Sequence, residues 1–180
     1  MDRRSIGKRS KKQGDFFEKI IENYNKNFLE RYGKPSRLYK LSKEKIPNTH
    51  KYKTKLRSDF EGWTKTFMGK DYDYPVHVEL EAKYTTKKSF YLSSLKYHQY
   101  ISLLELNDYG GIGILSIGHE ESGKCYHILI DEKFDGYIQQ NKCIDIVNKK
   151  MCKTLNIDTL KKFSIKIDPL LAFDVFGYNN

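Results

Sequence analysis

The sequence has little cysteine, and what it has is poorly spaced for chemistry. Cys125, Cys143 and Cys152 are the only three, and no two of them form a C-x-x-C pair. That excludes a disulfide framework and a zinc knuckle, and it fits a reducing, cytoplasmic setting. The Lys-, Asn-, Ile- and Tyr-rich composition hints at an AT-rich genome, hence a bacterial cell or a virus-infected host cell. No apolar run approaches the roughly 18 residues of a membrane span. The basic N-terminus is not followed by the apolar stretch of a signal peptide, so no membrane partner is expected. The five histidines include no H-x₃-H pair of the kind that holds zinc. No internal repeat is visible, and no serine sits in a nucleophile elbow.

A phosphate loop is missing too. The stretch "GHEESGKC", residues 118–125, comes near to G-x-x-x-x-G-K-[ST]. Cys125 stands where a hydroxyl must meet Mg²⁺, Glu120 and Glu121 would repel phosphates, and a strand pattern follows where a helix N-terminus is needed. It reads as a hairpin turn.

Acid is in short supply relative to base. There are 33 Lys+Arg against 23 Asp+Glu, a net charge of +10 in 180 residues. Fourteen Tyr and ten Phe supply large apolar anchors, so the chain is long and apolar enough for one globular domain. A protein this basic is suited to a polyanion, nucleic acid above all, or else it carries a merely solubilising surface.

The base is concentrated in two places. Residues 1–13 carry Arg3, Arg4, Lys8, Arg9, Lys11 and Lys12 with almost nothing to bury, the composition of a disordered basic arm. Residues 43–57 carry Lys43, Lys45, Lys51, Lys53, Lys55 and Arg57 with a proline and no periodicity, and read as a projecting loop. Both are candidate DNA-binding segments. The remainder, 14–180, reads as one domain. Phe17, Ile20, Ile21, Tyr24, Phe28 and Leu29 predict a first helix over 15–31, with Asp15 as its N-cap. A short strand is expected in "SRLYKLS". Two further strands are expected in "SDFEGWTKTF" and "YPVHVELEAKYT", joined by a turn in "MGKDYDYP". A second helix is expected in "SSLKYHQYISLLELNDYGG", capped by Ser93 or Ser94 and stopped by the double glycine. A hairpin "IGILSIG"–"CYHILID" follows, then short helices in "EKFDGYIQQN" and "NIDTLKKF" and a terminal strand near "FSIKID". This order predicts an α/β fold with a mixed central sheet flanked by helices.

The strand in 74–90 poses the functional question. Period-two alternation puts His77, Glu79, Glu81 and Lys83 on one face and Val76, Val78, Leu80 and Ala82 on the other. The polar face is either a solvated edge or a site. Residues i and i+2 lie about 6.5–7 Å apart on a strand, so Glu81 and Lys83 address one small volume. A carboxylate there can bind a hard cation, and the ammonium can reach an oxygen held by it. One Glu is too few for Mg²⁺. Asp59, in "SDFEGW", supplies a second acid from the neighbouring strand, and a cation shared by Asp59 and Glu81 would polarise a phosphodiester.

The ordered set Glu18, Asp59, Glu81-Ala82-Lys83 and "SSLKYHQ" resembles the PD-(D/E)XK nuclease pattern. Within it the chain is similar to the RecU family of Holliday junction resolvases. The likeness lies in "GDFFE", "SDFEG", "VELEAK" and "SFYLSSLKYHQ", with "GGIGILSI", "CYHILIDEKF" and "TLKKFSIKI" following, and runs from about residue 14 to 176. The combination of E-A-K, S-F and H-Q at these intervals is its most specific part. The resemblance implies a restriction-endonuclease-like core and Mg²⁺-dependent strand cleavage, with Mn²⁺ as a substitute. It also implies a homodimer that nicks four-way junctions symmetrically. Asp59, Glu81 and Gln99 would be metal ligands, Lys83 would orient the nucleophile or stabilise phosphate charge, and Glu18 would approach from the first helix. Residues 43–56 would correspond to a junction-entering stalk, shorter than the family's. Ser58-Asp59 departs from the proline-aspartate of the superfamily's name. Asp71 and Asp73 are rival acids in a long link between Asp59 and Glu81, and Asp59 is preferred because Phe60 and Gly62 reproduce the family's local pattern. Tyr39, Tyr52 and Trp63 are candidates for stacking on bases or for packing. Two alternatives stand beside this reading: another nuclease of the fold acting on linear, nicked or flapped DNA, and a non-catalytic DNA-binding protein.

Overall fold

The computed structural model describes residues 14–19, 21–23, 38–41, 58–67 and 70–165. The basic arm, the loop at 43–57 and the last fifteen residues lie outside these, and with them all twelve predicted DNA-binding side chains.

A five-stranded mixed sheet organises the chain. Its strands are β1 (Leu38–Lys40), β2 (Phe60–Phe67), β3 (Lys70–Thr85), β5 (Ile112–His119) and β6 (Lys124–Leu129), in the order β1-β2-β3-β5-β6. β3 and β5 are parallel, and the other neighbours are antiparallel. The first helix, α1, is helical over 14–19 and 21–23, and it already includes Gly14, so Asp15 lies inside it rather than capping it. The parallel β3–β5 crossover carries α2 (Tyr97–Asp108). It also carries β4 (Ser89–Tyr91), which pairs with β9 (Thr154–Asn156). Beyond the β5–β6 hairpin come α3 (Glu132–Gln140), the small β7–β8 pair (Ile144–Asp145 and Lys150–Met151) and α4 (Ile157–Phe163). The α/β fold with a mixed, helix-flanked sheet is thus as expected, and "HEESGK" is the β5–β6 turn.

The alternation of β3 sorts two cores. Val78, Leu80 and Ala82 face α1, where they pack with Phe60, Phe17, Ile21, Ile112 and Ile114. Phe17 and Ile21, four residues apart on one helix face, are the anchors of α1. The opposite face meets α2, α3 and α4 through Tyr100, Leu103, Leu115, Ile117, Phe134 and Ile138. Burying each such side chain contributes about 1.5–3 kcal/mol. α2 lies directly on β5 at Gly113, where an added Cβ would stand 2.2 Å from the Leu103 carbonyl oxygen. Backbone cannot yield there as a side chain would. Gly113→Ala is expected to cost about 3 kcal/mol in a denaturant titration, the upper range of overpacking.

Three local expectations need correction. The sequence "DYDYP" reads as a turn but belongs to β3, which begins at Lys70. The register jumps from Thr64↔Val76 to Thr66↔Asp71, so residues 72–75 face a single β2 residue. The turn-like composition is absorbed as a bulge, which also accommodates Pro75 with its missing N–H. Helix α2 starts at Tyr97, not after Ser93 or Ser94. Those serines sit in a 3₁₀ turn, Leu92–Ser94, because Leu92 and Leu95 are both drawn into the core. The terminal strand is reduced, within the described residues, to one bridge between Ser164 and Ile128 and the bond from Ile165 N–H to the His127 carbonyl at 2.8 Å.

Candidate active site

The site forms where β2 enters the sheet beside β3. The Asp59 N–H donates to the Leu80 carbonyl at 3.1 Å, and its Oδ2 accepts from the Ala82 N–H at 2.9 Å. Main chain and side chain therefore both clamp Asp59 to β3, beside Glu81. Ser58, where the superfamily name suggests proline, is fully buried, and its hydroxyl donates to the Phe60 carbonyl at 3.1 Å. It steadies the same strand start.

Glu81 is fully buried beneath the N-terminus of α2. Its Oε1 accepts from the Lys83 ammonium and, at 2.5 Å, from Gln99 Nε2. The other end of the Gln99 amide accepts from the Lys96 N–H at 3.1 Å and so caps α2. Gln99 is thereby fixed by the helix it caps, with its N–H aimed at Glu81. Its carbonyl oxygen meets the Lys96 N–H with one of its two lone pairs. Burial pushes the Glu81 carboxyl up from 4.5 to about 7; Lys83 works against this shift, and the Asp59 charge adds to it.

Glu81 Oε2 is buried and, among the described residues, has no hydrogen-bond partner. An ionised carboxylate with one oxygen unpartnered in a buried site is costly unless a cation meets it. With Asp59 alongside, two hard oxygen donors converge, and that donor set suits Mg²⁺, which takes one or two carboxylates and keeps several waters. No three His, Cys, Asp or Glu side chains among the described residues form a ready-made cage. The residues fit an open, partly hydrated cation rather than a structural one.

Glu18 is engaged by a neighbour of Asp59's backbone partner, since Lys40 adjoins Leu41, whose N–H donates to the Asp59 carbonyl at 2.9 Å. It lies on α1, ion-paired with Lys40 of β1 at 3.0 Å, and Lys40 also binds Glu22. Among the described residues it makes no hydrogen bond or ion pair with Asp59, Glu81 or Lys83. Of the rival acids, Asp73 is exposed within the bulge of β3, several residues from Glu81 along the strand. Trp63 is half exposed and stacks against His77 with ring centroids 4.8 Å apart. They line an open cavity of about 440 Å³ with Tyr74 and Tyr109. Sequence reasoning assigned nothing to Glu61, which the ladder sets directly across from Glu79. The spacing D-x-E in "SDFEG" puts it on the same strand face as Asp59, and that was the signal available.

A family model described as "Recombination protein U" matches residues 12–173. A curated protein, "Holliday junction resolvase RecU" of Mycoplasmopsis pulmonis, is 29% identical over 162 residues, covering 88% of this chain and 86% of the relative.

Proposed function

The chain belongs to the RecU family, and from that membership and the site's geometry we propose that it is a DNA endonuclease resolving four-way junctions. In this reading a homodimer places two sites on symmetric strands of the crossover. The observation that carries it is the hydrogen-bonded cluster of Asp59, Glu81, Lys83 and Gln99 around one unpartnered carboxylate oxygen.

Asp59 and Glu81 would hold Mg²⁺, with Mn²⁺ as a substitute. Bound there, the ion supplies Lewis-acid polarisation of the phosphodiester and a more acidic water. The protein's own groups do the rest. Lys83 is partly exposed beside Glu81, so its ammonium can meet a non-bridging phosphate oxygen as negative charge builds on it. Fixed charges aimed at such an oxygen often lower the barrier more than any other single effect. Gln99 holds the Glu81 carboxylate against rotation, and the Ala82 N–H does the same for Asp59. Attack in line by water, with departure of the 3′-oxygen, would leave 5′-phosphate and 3′-hydroxyl ends.

Affinity would come from the basic arm and the 43–57 segment, through release of counterions from the DNA, and would fall steeply with salt. Selection of the junction would rest on shape and on the dimer's site spacing. The test is cleavage of a synthetic four-way junction, a linear duplex and a flap, in Mg²⁺ and then in EDTA. Paired nicks in the junction with Mg²⁺ and none with EDTA are expected. Equal cutting of linear duplex removes the resolvase assignment, and junction binding without any cutting points to a non-catalytic protein.

A further inference from the structure

The acid face of β2 and β3 is longer than the proposed nuclease site uses. Glu61 on β2 and Glu79 and Glu81 on β3 project to the side opposite Phe60, Val78, Leu80 and Ala82, and Asp59, just before β2, lies beside Glu81. The register sets Glu61 directly opposite Glu79, one rung along from Asp59 and Glu81. The Glu61–Glu79 pair brings two more carboxylates next to Asp59 and Glu81. Like charges directly opposite on neighbouring strands are destabilising.

The second rung has the sharper problem. Glu79 is only 4% exposed, and among the described residues its Oε2 has no hydrogen-bond partner. Lys83, the ammonium on this face, is engaged by Glu81 one rung away. His77 stands on the far side of Glu61, with Nε2 3.8 Å from Glu61 Oε2. It neutralises Glu61 only when protonated, and it stacks on Trp63. A buried carboxylate facing a second carboxylate, with one oxygen unpartnered, has the character of an ion-binding position.

We propose that Glu79 and Glu61 hold a second divalent cation, distinct from the one at Asp59 and Glu81. Two carboxylates with water completing the shell suit Mg²⁺ or Mn²⁺, and the nearby imidazole favours Mn²⁺ of the two. Rungs on one face lie about 6.5–7 Å apart, whereas paired catalytic metals sit about 3.5–4 Å apart. The second ion is therefore not a partner in bond cleavage. It converts an acidic patch beside the scissile position into one that accepts the next stretch of DNA backbone.

This second site adds to the nuclease reading and can fail separately from it. The probe is Mn²⁺ titrated into the full chain without DNA, with free Mn²⁺ read by electron paramagnetic resonance. Glu79→Gln and Glu61→Gln are each expected to bind one Mn²⁺ fewer than the unsubstituted protein. Circular dichroism reports whether Glu79→Gln folds, and Glu61→Gln, whose side chain is partly exposed, covers the case where it does not. If the correctly folded variants bind as many Mn²⁺ as the unsubstituted protein, the second site does not exist. Junction cleavage in that same unsubstituted protein would leave the nuclease reading standing.

Discussion

Glu81→Gln is expected to abolish junction cleavage, by about a thousandfold or more, and at the same time to make the metal-free protein more stable. Both effects come from the same burial. The Glu81 carboxyl is pushed up to about 7 from 4.5, so ionising it in the folded state costs about 3 kcal/mol more than in the unfolded chain. The sign follows from proton counts. Below about pH 4 both states hold the proton, and the variant and the parent should unfold alike. As pH rises from there toward 7, the unfolded chain releases its proton first and the parent loses stability. Above about 7 the folded form is ionised as well, and the deficit levels off. Glutamine keeps the shape of the neutral acid and skips this loss. Urea unfolding in EDTA at pH 4 and pH 8 measures it: equal midpoints at the lower pH, and a gain of about 3 kcal/mol for the variant at the higher. Adding Mg²⁺ at pH 8 should stabilise the parent more than the variant, which lacks the Glu81 carboxylate. A variant less stable than the parent at pH 8 in EDTA would show that Glu81 serves as a structural anchor rather than as a strained ligand.

Asp59→Asn is expected to lower cleavage by about a thousandfold while leaving junction binding and folding close to those of the parent. Asparagine retains an oxygen for the Ala82 N–H, so the bond that ties β2 to β3 survives. What goes is the second negative charge beside Glu81. Removing it also relieves one cause of the raised Glu81 carboxyl, so the stability of the metal-free variant should decline less between pH 4 and pH 8. Asp73→Asn is the control, since Asp73 lies exposed in the β3 bulge and its loss should leave cleavage within about twofold. The reverse outcome, activity kept in Asp59→Asn and lost in Asp73→Asn, would move the metal acid to the other end of the strand.

Much of the site is legible in the sequence alone, and the reason is local. Period two in "VHVELEAK" is a property of adjacent residues, so the sorting of Glu81 and Lys83 from Leu80 and Ala82 follows from spacing. The helix at Tyr97–Asp108 and the hairpin around "HEESGK" are likewise short-range patterns. What escaped depends on contacts between distant segments. Ser93 and Ser94 look like caps, but the burial of Leu92 and Leu95 delays the helix and hands the capping role to Gln99. "DYDYP" has turn chemistry, yet pairing with β2 keeps the segment in a strand. Glu18 falls in the resemblance's expected place on α1, and only the sheet reveals that Lys40 engages it. No spacing rule announces the face-to-face pairing of Glu61 with Glu79, because register between two strands is set by the sheet as a whole.

The alternation of β2 and β3 also has a bearing on how such a chain can drift. Every acid of the face has an odd number, 59, 61, 79 and 81, as does Lys83, and the core residues between them, 60, 78, 80 and 82, are even. Substitution at any one position damages one group. Insertion or deletion of a single residue between Val78 and Lys83 exchanges the parity of everything beyond it, sending an ammonium or a carboxylate into the packing around Phe17 and Ile21 and leucine into the acid face. Within this segment, changes of composition are graded, whereas a change of length by one is all or none.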